Sequence, residues 1–330
     1  MALPANTNYT YAAASGSTRL TSIREDLSNV IYNIAPLDTP FLSGAGRTSC
    51  DNTYFEWQTD TIGAGSSNQQ LEGDDASADA RAVPTRVGNY TQISRYVVQT
   101  SGTNEAVNNA GFKSAQAYQL AKRAKQLKRD MEYQLTRPEG QGGGAAGTAR
   151  KTGGLPCWLG TNWVTGNPSS GSPAAPANSN GTAAPTNATA TIAISEAMIK
   201  EVIADTYNSG GSPDILMCKP TIKQAISALT QTVSSLRTDA NKVAPAHVVA
   251  AVDVYVSDFG TFRIIPNRNA YQDRDLFCLD MDYMEVAYLR PFRTETLAKT
   301  GDNVQQMLLV EYGLKVNNEA SSGQLNDIKA

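Results

Sequence analysis

Two strand-like segments separated by a long polar stretch limit most strongly what this chain can fold into. Residues 52–60 and 86–102 are rich in aromatic and β-branched residues with partial alternation. The stretch between them is dominated by Gly, Ser, Asn and Asp and offers little to bury. The pattern predicts an extended β-hairpin. Because an isolated two-stranded hairpin is only marginally stable in water, we expect it to lie on a second domain or on another subunit.

A long amphipathic helix is predicted after the hairpin, over residues 103–136, because apolar residues recur there at three- and four-residue spacings. Its polar face is basic, since residues 113–137 contain seven Lys or Arg and two acidic residues. Pro138 and the glycines after it end the helix. A charged helix face is most often simply solvated, so it favours nucleic-acid binding only where something confines DNA against it.

The segments on either side of these elements differ in character. Residues 1–20 are rich in Ala, Ser, Thr and Asn and predict a flexible arm, unless a partner orders it. Residues 23–34 carry a short helical pattern that must stop at Pro36, after which the chain is expected to be extended. Residues 139–190 are biased toward Gly, Ala, Ser, Pro, Asn and Thr and predict a long surface loop or insertion with one apolar island.

The C-terminal half turns to an α/β pattern. A capped helix is predicted over 195–211, a short buried strand over 213–220, and a second helix over 220–236 with proline at its first position. From Asp253 onward the pattern is one of strands separated by turns. Together these elements predict an α+β chain without an internal repeat, in which a second compact lobe begins near residue 192.

Composition argues against most enzyme and membrane classes. The 330 residues are 41% hydrophobic with a net charge of −3, which fits neither a disordered chain nor a free nucleic-acid binder. The single histidine, His247, leaves few ways to build a triad or a histidine-zinc site. The four cysteines are far apart, so neither a zinc knuckle nor a disulfide framework is expected. The longest apolar runs, such as Met307–Val310, are too short to span a bilayer, and the start of the sequence lacks signal-peptide features. The sequence therefore predicts a soluble cytosolic product.

Motifs for catalysis or for a metal are not found in the sequence. There is no phosphate-loop spacing before Lys151 and no G-x-S-x-G elbow. Asp273, Asp275, Asp280 and Asp282 recur at even spacing and could be drawn as a calcium site. No calcium-loop motif accompanies them, and the apolar residues between them favour a buried strand with acids at its two ends. The sequence therefore predicts no catalytic residue, no cofactor and no metal.

An acidic patch is expected at the tip of the hairpin. It consists of Glu72, Asp74, Asp75 and Asp79. The patch is either a solvated loop or a contact surface for basic groups on a neighbour, and in the second case association would be sensitive to salt.

Several strings of the sequence resemble those of a known family. They include REDLSNVIYNIAPLDTPFL (24–42), EGDDAS (72–77), TRVGNYTQIS (85–94), AYQLAKRAKQLKRDMEYQL (117–135), AYLRPFRTETLAKTGD (287–302) and LLVEYGLKVNNE (308–319). In this order they resemble the major capsid proteins of tailed bacteriophages with the Hong Kong 97 type fold, and more closely one family of phage major head proteins within it. The resemblance covers most of the chain outside residues 1–20 and 160–190.

The resemblance implies a division of the chain into the parts of that fold. These are an N-terminal arm (1–49), an extended loop or β-hairpin (50–102), a spine helix of the peripheral domain (103–137), a Gly/Pro/Ser-rich loop or insertion (138–191), an axial domain (192–252), and peripheral-domain strands with the C-terminus (253–330). In this fold the extended loop lies across the adjacent subunit, which would provide the cover that the hairpin lacks.

Two departures from the family narrow this expectation. Some relatives join their shells covalently through a lysine of the extended loop, but residues 51–112 contain no lysine. Non-covalent locking is therefore expected. Some relatives also carry a long N-terminal scaffolding domain, which an arm of about 20 residues cannot be, so scaffolding is expected to be a separate protein or absent.

The implied function is that of a shell-forming structural protein without catalysis. Copies would form hexamers and pentamers of a head that encloses double-stranded DNA, first in the host cytoplasm and then in the virion, with a portal and possible separate scaffolding and decoration proteins as further partners and no membrane. Candidate intersubunit contacts are Leu37, Phe41, Trp57, Glu72, Asp74, Asp75 and Arg86. Candidate DNA-facing or intersubunit charges are Lys122, Lys125 and Arg129. Trp57 and Phe41 could instead fill the core of the subunit.

Three alternatives remain at this point. An encapsulin-like nanocompartment shell would keep the fold and enclose an enzyme cargo instead of DNA. An α+β enzyme is disfavoured by the single histidine. A virion decoration protein would not be expected to carry the long helix and the second lobe.

Overall fold

The computed structural model describes residues 38–62, 65, 67–70, 72–73, 75, 83–233 and 253–330. The described α-helices are α1 (Pro40–Gly44), α2 (Gly102–Ala106), α3 (Ala115–Leu135), α4 (Glu196–Asn208) and α5 (Pro220–Val233). The described strands are β1 (Gly46–Ser49), β2 (Tyr54–Thr59), β3 (Thr85–Tyr90), β4 (Gln92–Ser101), β5 (Trp163–Thr165), β6 (Ile192–Ala193), β7 (Ile215–Cys218), β8 (Val254–Ser257), β9 (Gly260–Pro266), β10 (Leu276–Leu279), β11 (Met284–Thr296), β12 (Asn303–Val316), β13 (Gly323–Asn326) and β14 (Ile328–Lys329). The helix predicted over 23–34 and His247 lie outside the described residues.

The described strands form two main sheets, which confirms the α+β class. A four-stranded sheet has the order β1-β11-β12-β4, and a six-stranded sheet has the order β5-β13-β10-β7-β9-β8. The strands β2 and β3 form a separate antiparallel pair, and β14 pairs with β6. The chain passes repeatedly between the two main sheets, so the two lobes are not consecutive pieces of sequence.

Helix α3 packs on one face of the four-stranded sheet. Leu127, Met131 and Leu135 are buried on the side of α3 that meets the even-numbered residues of β12, among them Val310 and Tyr312. This is the helical periodicity that the sequence predicts. Each such side chain contributes about 1.5–3 kcal/mol by its removal from water. Three lysines of α3, Lys122, Lys125 and Lys128, are exposed.

The second core joins α4 and α5 to the six-stranded sheet. Ile199 and Val202 of α4 and Ile222 of α5 pack on alternate residues of the central strands, such as Leu216 and Leu276. The predicted helix-strand-helix unit is confirmed as α4, β7 and α5. All residues of β7 and of β10 are buried, as expected for central strands covered on both faces.

The predicted hairpin is present but shorter than expected. The strands β2 and β3 pair antiparallel from Tyr54↔Tyr90 to Thr59↔Thr85. The segment predicted as one strand over 86–102 divides at Thr91, and its second part, β4, pairs with β12 in the four-stranded sheet. At the division the Thr91 side chain is buried, and its hydroxyl donates to Glu311 at 2.9 Å.

The single helix predicted over 103–136 is wrong, since α2 and α3 are separate. The chain between them contains two asparagines followed by Gly111, whose φ of 88° lies in the left-handed region. Each helix also has its own N-terminal cap. The Asn104 N–H donates to Ser101 Oγ at 3.3 Å, and the Ala117 N–H donates to Ser114 Oγ at 3.2 Å.

Three further boundaries differ from the expected division. Residues 138–191 are not a surface loop throughout, because the apolar island 155–159 is buried in the main core and β5 joins the six-stranded sheet. Position 252 is not a lobe boundary, because β8, β9 and β10 share a sheet with β7. The strand β13 also returns to that sheet, whereas the peripheral domain was expected there. At the other end, α1 and β1 of the expected arm belong to the folded core, since β1 pairs with β11.

Candidate assembly interface

The hairpin β2–β3 is held at its base and exposed at its outer end. Arg86 and Glu56 form an exposed ion pair at 3.8 Å across its strands. Trp57 is half-buried, with its ring centroid 5.3 Å from that of Trp158 in the main core. Just beyond the strands, Ile62 is 100% exposed and Val83 is 80% exposed. The hairpin is therefore covered near its base and presents apolar side chains to solvent at its outer end.

The base of the hairpin is fixed by one buried side chain. Asn89 donates to the carbonyl of Leu314 at 2.7 Å and to Thr152 Oγ1 at 3.1 Å. The side-chain amide oxygen of Asn89 accepts the Gly153 N–H at 2.9 Å. Leaving any of these buried groups without a partner would cost about 1–3 kcal/mol, so the bonds fix the position from which the loop departs.

A second buried group lies where β3 passes into β4. Glu311 is 2% exposed and accepts from Arg150 Nη2 at 2.6 Å and from Arg290 Nε at 2.6 Å. The hydroxyl of Thr91 donates to the same carboxylate at 2.9 Å. Two guanidinium groups and one hydroxyl thus neutralise and bond a buried charge. We call Glu311, Arg150, Arg290 and Thr91 the hinge cluster.

A third buried carboxylate ties the N-terminal segment to α3. Glu132 accepts the N–H groups of Phe41 and Leu42 at 2.9 and 2.8 Å and an amide hydrogen of Asn267 at 2.6 Å. Burial raises the pKa of Glu132, and the three donated hydrogen bonds oppose that shift. Phe41 itself is 1% exposed and fills the core of the subunit. This is the second of the two roles expected for it, the first being an intersubunit contact.

The solvent-facing side of α3 is basic. Lys122, Lys125 and Lys128 are exposed, and none of them forms an ion pair with a residue in the described ranges. The two acids of α3 are occupied elsewhere, because Asp130 accepts from the hydroxyl of Tyr96 and Glu132 is buried. We call the three lysines the lysine face.

The remaining predicted contact residues are placed as follows. Glu72 and Asp75 are exposed, whereas Leu37 and Asp74 lie outside the described residues. Arg129 is only half-exposed, and its Nε has no hydrogen-bond partner among the residues described. The structure therefore places Lys128, rather than Arg129, beside Lys122 and Lys125 on the exposed side of α3.

The part of the chain that the structure describes contains neither a cluster of metal-ligating side chains nor a membrane-spanning helix. No group of three or more His, Cys, Asp or Glu side chains is placed there to hold an ion. No described helix is both long enough and apolar enough to cross a bilayer. The acids around β10 flank a buried strand, as the sequence predicts, and Asp275 is itself buried. Burial raises the pKa of Asp275 to about 7, with the charge of Asp327 adding to the shift and Arg274 opposing it.

The family is decided by a match that runs along nearly the whole chain. The model of the SU10 major capsid protein family matches residues 4–329. This chain belongs to the SU10 major capsid protein family. Its role is therefore that of a structural protein of the virion.

Individual relatives agree with membership of this family. The major capsid protein of Escherichia phage Phieco32 is 28% identical to this chain, over an alignment that covers 90% of this chain and 92% of the relative. The capsid of cyanophage A-1(L) is similar in structure, with a TM-score of 0.64 at 12% identity over 93% of this chain and 98% of that one. The SrpI encapsulin of Synechococcus elongatus PCC 7942 has a TM-score of 0.55 at 10% identity, covering 92% of this chain and 93% of that one. At such identities these structures show the Hong Kong 97 type fold alone.

Three buried polar groups of this capsid protein were not predicted from the sequence. Asn89, Glu132 and Glu311 are single polar residues whose partners lie far away along the chain. The sequence contained one usable signal for each, which is a polar side chain within an otherwise apolar pattern. Such a signal marks a residue that needs a partner, and it does not tell which partner.

Proposed function

We propose that copies of this protein assemble into hexamers and pentamers of a tailed-phage head that encloses double-stranded DNA. The observation that carries the proposal is the hairpin β2–β3, which is anchored firmly at its base and exposes Ile62 and Val83 at its outer end. An isolated two-stranded hairpin is only marginally stable in water, so its outer end is suited to being covered by a partner. In a shell built from copies of one chain, that partner is the neighbouring copy.

Locking between copies is non-covalent in this proposal. No lysine in 51–112 is available to link the loop to a neighbour. Each loop contact need only be weak, because a ring of copies makes the same contact many times and gains strength from multivalency. Glu72 and Asp75 are exposed, and the sequence has Asp74 between them and Asp79 after them. Part of the attraction is therefore electrostatic and weakens with added salt.

The finer expectations belong to the same proposal. The protein acts in assembly without catalysis and without a cofactor, first in the host cytoplasm. A portal protein, and possible separate scaffolding and decoration proteins, complete the head. The alternative is a nanocompartment shell, because an encapsulin is similar to this chain in fold. The match to the SU10 family favours the phage head.

The test replaces residues 62–84 by a short Gly-Asn turn and measures association by analytical ultracentrifugation. The hairpin can still close, because the pairing from Tyr54 to Thr59 is kept. We expect the shortened protein to melt at the temperature of the wild type while its assembly into rings or shells is lost. A matched control exchanges Glu72 and Asp75 for glutamine in the full-length loop, and it should assemble with reduced dependence on salt. Unchanged assembly of the shortened protein would refute the role of the loop.

A further inference from the structure

We propose that the lysine face of α3 binds the phosphate backbone of double-stranded DNA without regard to sequence. The proposal rests on the proposed function, since it assumes that the shell encloses DNA. It goes further by naming the surface of the subunit that meets the DNA and the chemistry of the contact. The ligand group is the phosphate, and the protein groups are the ammonium ions of Lys122, Lys125 and Lys128.

The spacing of the three lysines concentrates positive charge on a short length of helix. The residues follow one another at intervals of three, which corresponds to a rise of about 4.5 Å for each interval in an α-helix. The three side chains therefore leave the helix within a length of about 9 Å along its axis. All three side chains are exposed. Long, flexible lysines on a rigid helix suit contacts with phosphates, which need charge more than exact geometry.

The charge of the lysine face is not neutralised from within the described part of the subunit. Asp130, the nearest acid in the sequence, accepts from the hydroxyl of Tyr96, and Glu132 is buried against the N-terminal segment. The neighbouring Arg123 donates to Gln126 at 2.6 Å and lies over the ring of Tyr96, with its guanidinium carbon 5.1 Å from the ring centroid. Arginine is thus used for packing on this helix, whereas lysine is left for solvent or a ligand.

The density of charge on DNA favours it over the acidic loop of a neighbouring copy as the ligand of the lysine face. Double-stranded DNA carries one negative charge for about every 1.7 Å of its axis, so each of three lysines within about 9 Å of helix axis can meet a phosphate. The acidic patch of the loop has only four carboxylates, those of Glu72, Asp74, Asp75 and Asp79.

Arg129 follows Lys128 in the sequence but does not belong to the lysine face. Arg129 is half-exposed and partly turned into the protein, so it is not counted among the ligands. Lys128 takes its place. For contacts of this kind the logarithm of the binding constant falls with the logarithm of the salt concentration by about 0.9 for each phosphate contacted. If each of the three lysines contacts one phosphate, neutralising all three should reduce the magnitude of that slope by about 2.7.

The experiment measures binding of a short fluorescent DNA duplex of mixed sequence to the unassembled full-length protein, by anisotropy at salt concentrations between about 50 and 200 mM. The test variant is K122Q/K125Q/K128Q. The matched control is K200Q/K299Q/K329Q, which removes the same charge from exposed lysines outside α3. We expect the slope to fall by about 2.7 in the test variant and by less than about 1 in the control, for duplexes of two unrelated sequences alike.

Equal slopes in the two variants would overturn the proposal. So would a test variant whose self-association becomes less sensitive to salt while its DNA binding is unchanged, because the lysine face would then meet a neighbouring copy. Assembly is measured separately by ultracentrifugation, on the same protein preparations at the concentrations at which the wild type self-associates. If the wild type assembles but the slopes are equal, the lysine face does not bind DNA, and the proposed function in shell assembly is unaffected. If the wild type never assembles, the proposed function itself fails.

Discussion

The buried carboxylate of the hinge cluster offers the sharpest stability prediction. Glu311→Gln keeps the size and shape of the side chain and removes its charge. Arg150 and Arg290 then face each other across a neutral amide, where each had a carboxylate oxygen at 2.6 Å. The Thr91 hydroxyl at the junction of β3 and β4 also loses a charged acceptor. The change therefore acts where the extended loop departs from the sheet.

The magnitude follows from how deeply each partner is buried. Removing one partner of a fully buried ion pair costs about 3–5 kcal/mol, because the other charge is left uncompensated. Glu311 is 2% exposed, but the side chains of Arg150 and Arg290 are 28% and 34% exposed and can recover part of their hydration. We therefore expect a loss of about 2–3 kcal/mol. For a chain of this size that loss lowers the melting temperature by about 3–4 °C.

The assay is urea unfolding of the unassembled protein, followed by circular dichroism, with Glu285→Gln as the matched control. Glu285 pairs with Lys315 at 2.8 Å between the same two strands, but both side chains are about one quarter exposed. Partly exposed pairs contribute about 0–1 kcal/mol. If Glu311→Gln were no more destabilising than Glu285→Gln, the hinge cluster would have no special role in holding the base of the loop.

Two further predictions address pH and assembly. Because burial raises the pKa of Asp275 from 3.8 to about 7, its folded form favours the proton, and the stability it contributes is present below pH 4 and lost as pH rises through 7. The free energy of unfolding of Asp275→Asn should therefore rise relative to that of the wild type between these pH values and then level off. If the difference in free energy of unfolding between the two proteins did not change with pH, burial would not raise the pKa of Asp275. Arg86→Ala breaks only the exposed pair with Glu56 and should change subunit stability by less than about 1 kcal/mol while weakening assembly, as seen by ultracentrifugation; unchanged assembly would remove Arg86 from the interface.

Local patterns in the sequence predicted the elements that depend on local physics. The apolar spacing of α3, the alternation of β2 and β3, and the helix-strand-helix unit around β7 each follow from a run of neighbouring residues. The break before α3 was also readable, because Asn108, Asn109 and Gly111 are poor helix residues and Ser114 is a good cap. The long apolar period over this region concealed it.

The remaining features depend on contacts between distant parts of the chain. Thr91 bonds to Glu311, 220 positions away, and Phe41 bonds to Glu132, 91 positions away. Nothing near either residue in the sequence specifies such a partner. The apolar island 155–159 was visible as apolar, but its burial beside Trp57 depends on how two sheets and a hairpin come together. For the same reason a boundary at residue 252 could not be excluded from sequence alone.

In a closed shell, we expect the extended loop of one copy to cover a neighbouring copy. Electron microscopy of the purified full-length protein, with reconstruction of any closed particle, tests this arrangement. We expect shells of hexamers and pentamers in which residues 62–84 of each copy lie on the adjacent copy, with α3 toward the interior. Particles in which that segment folds back onto its own subunit, or dispersed monomers at every salt concentration, would contradict it.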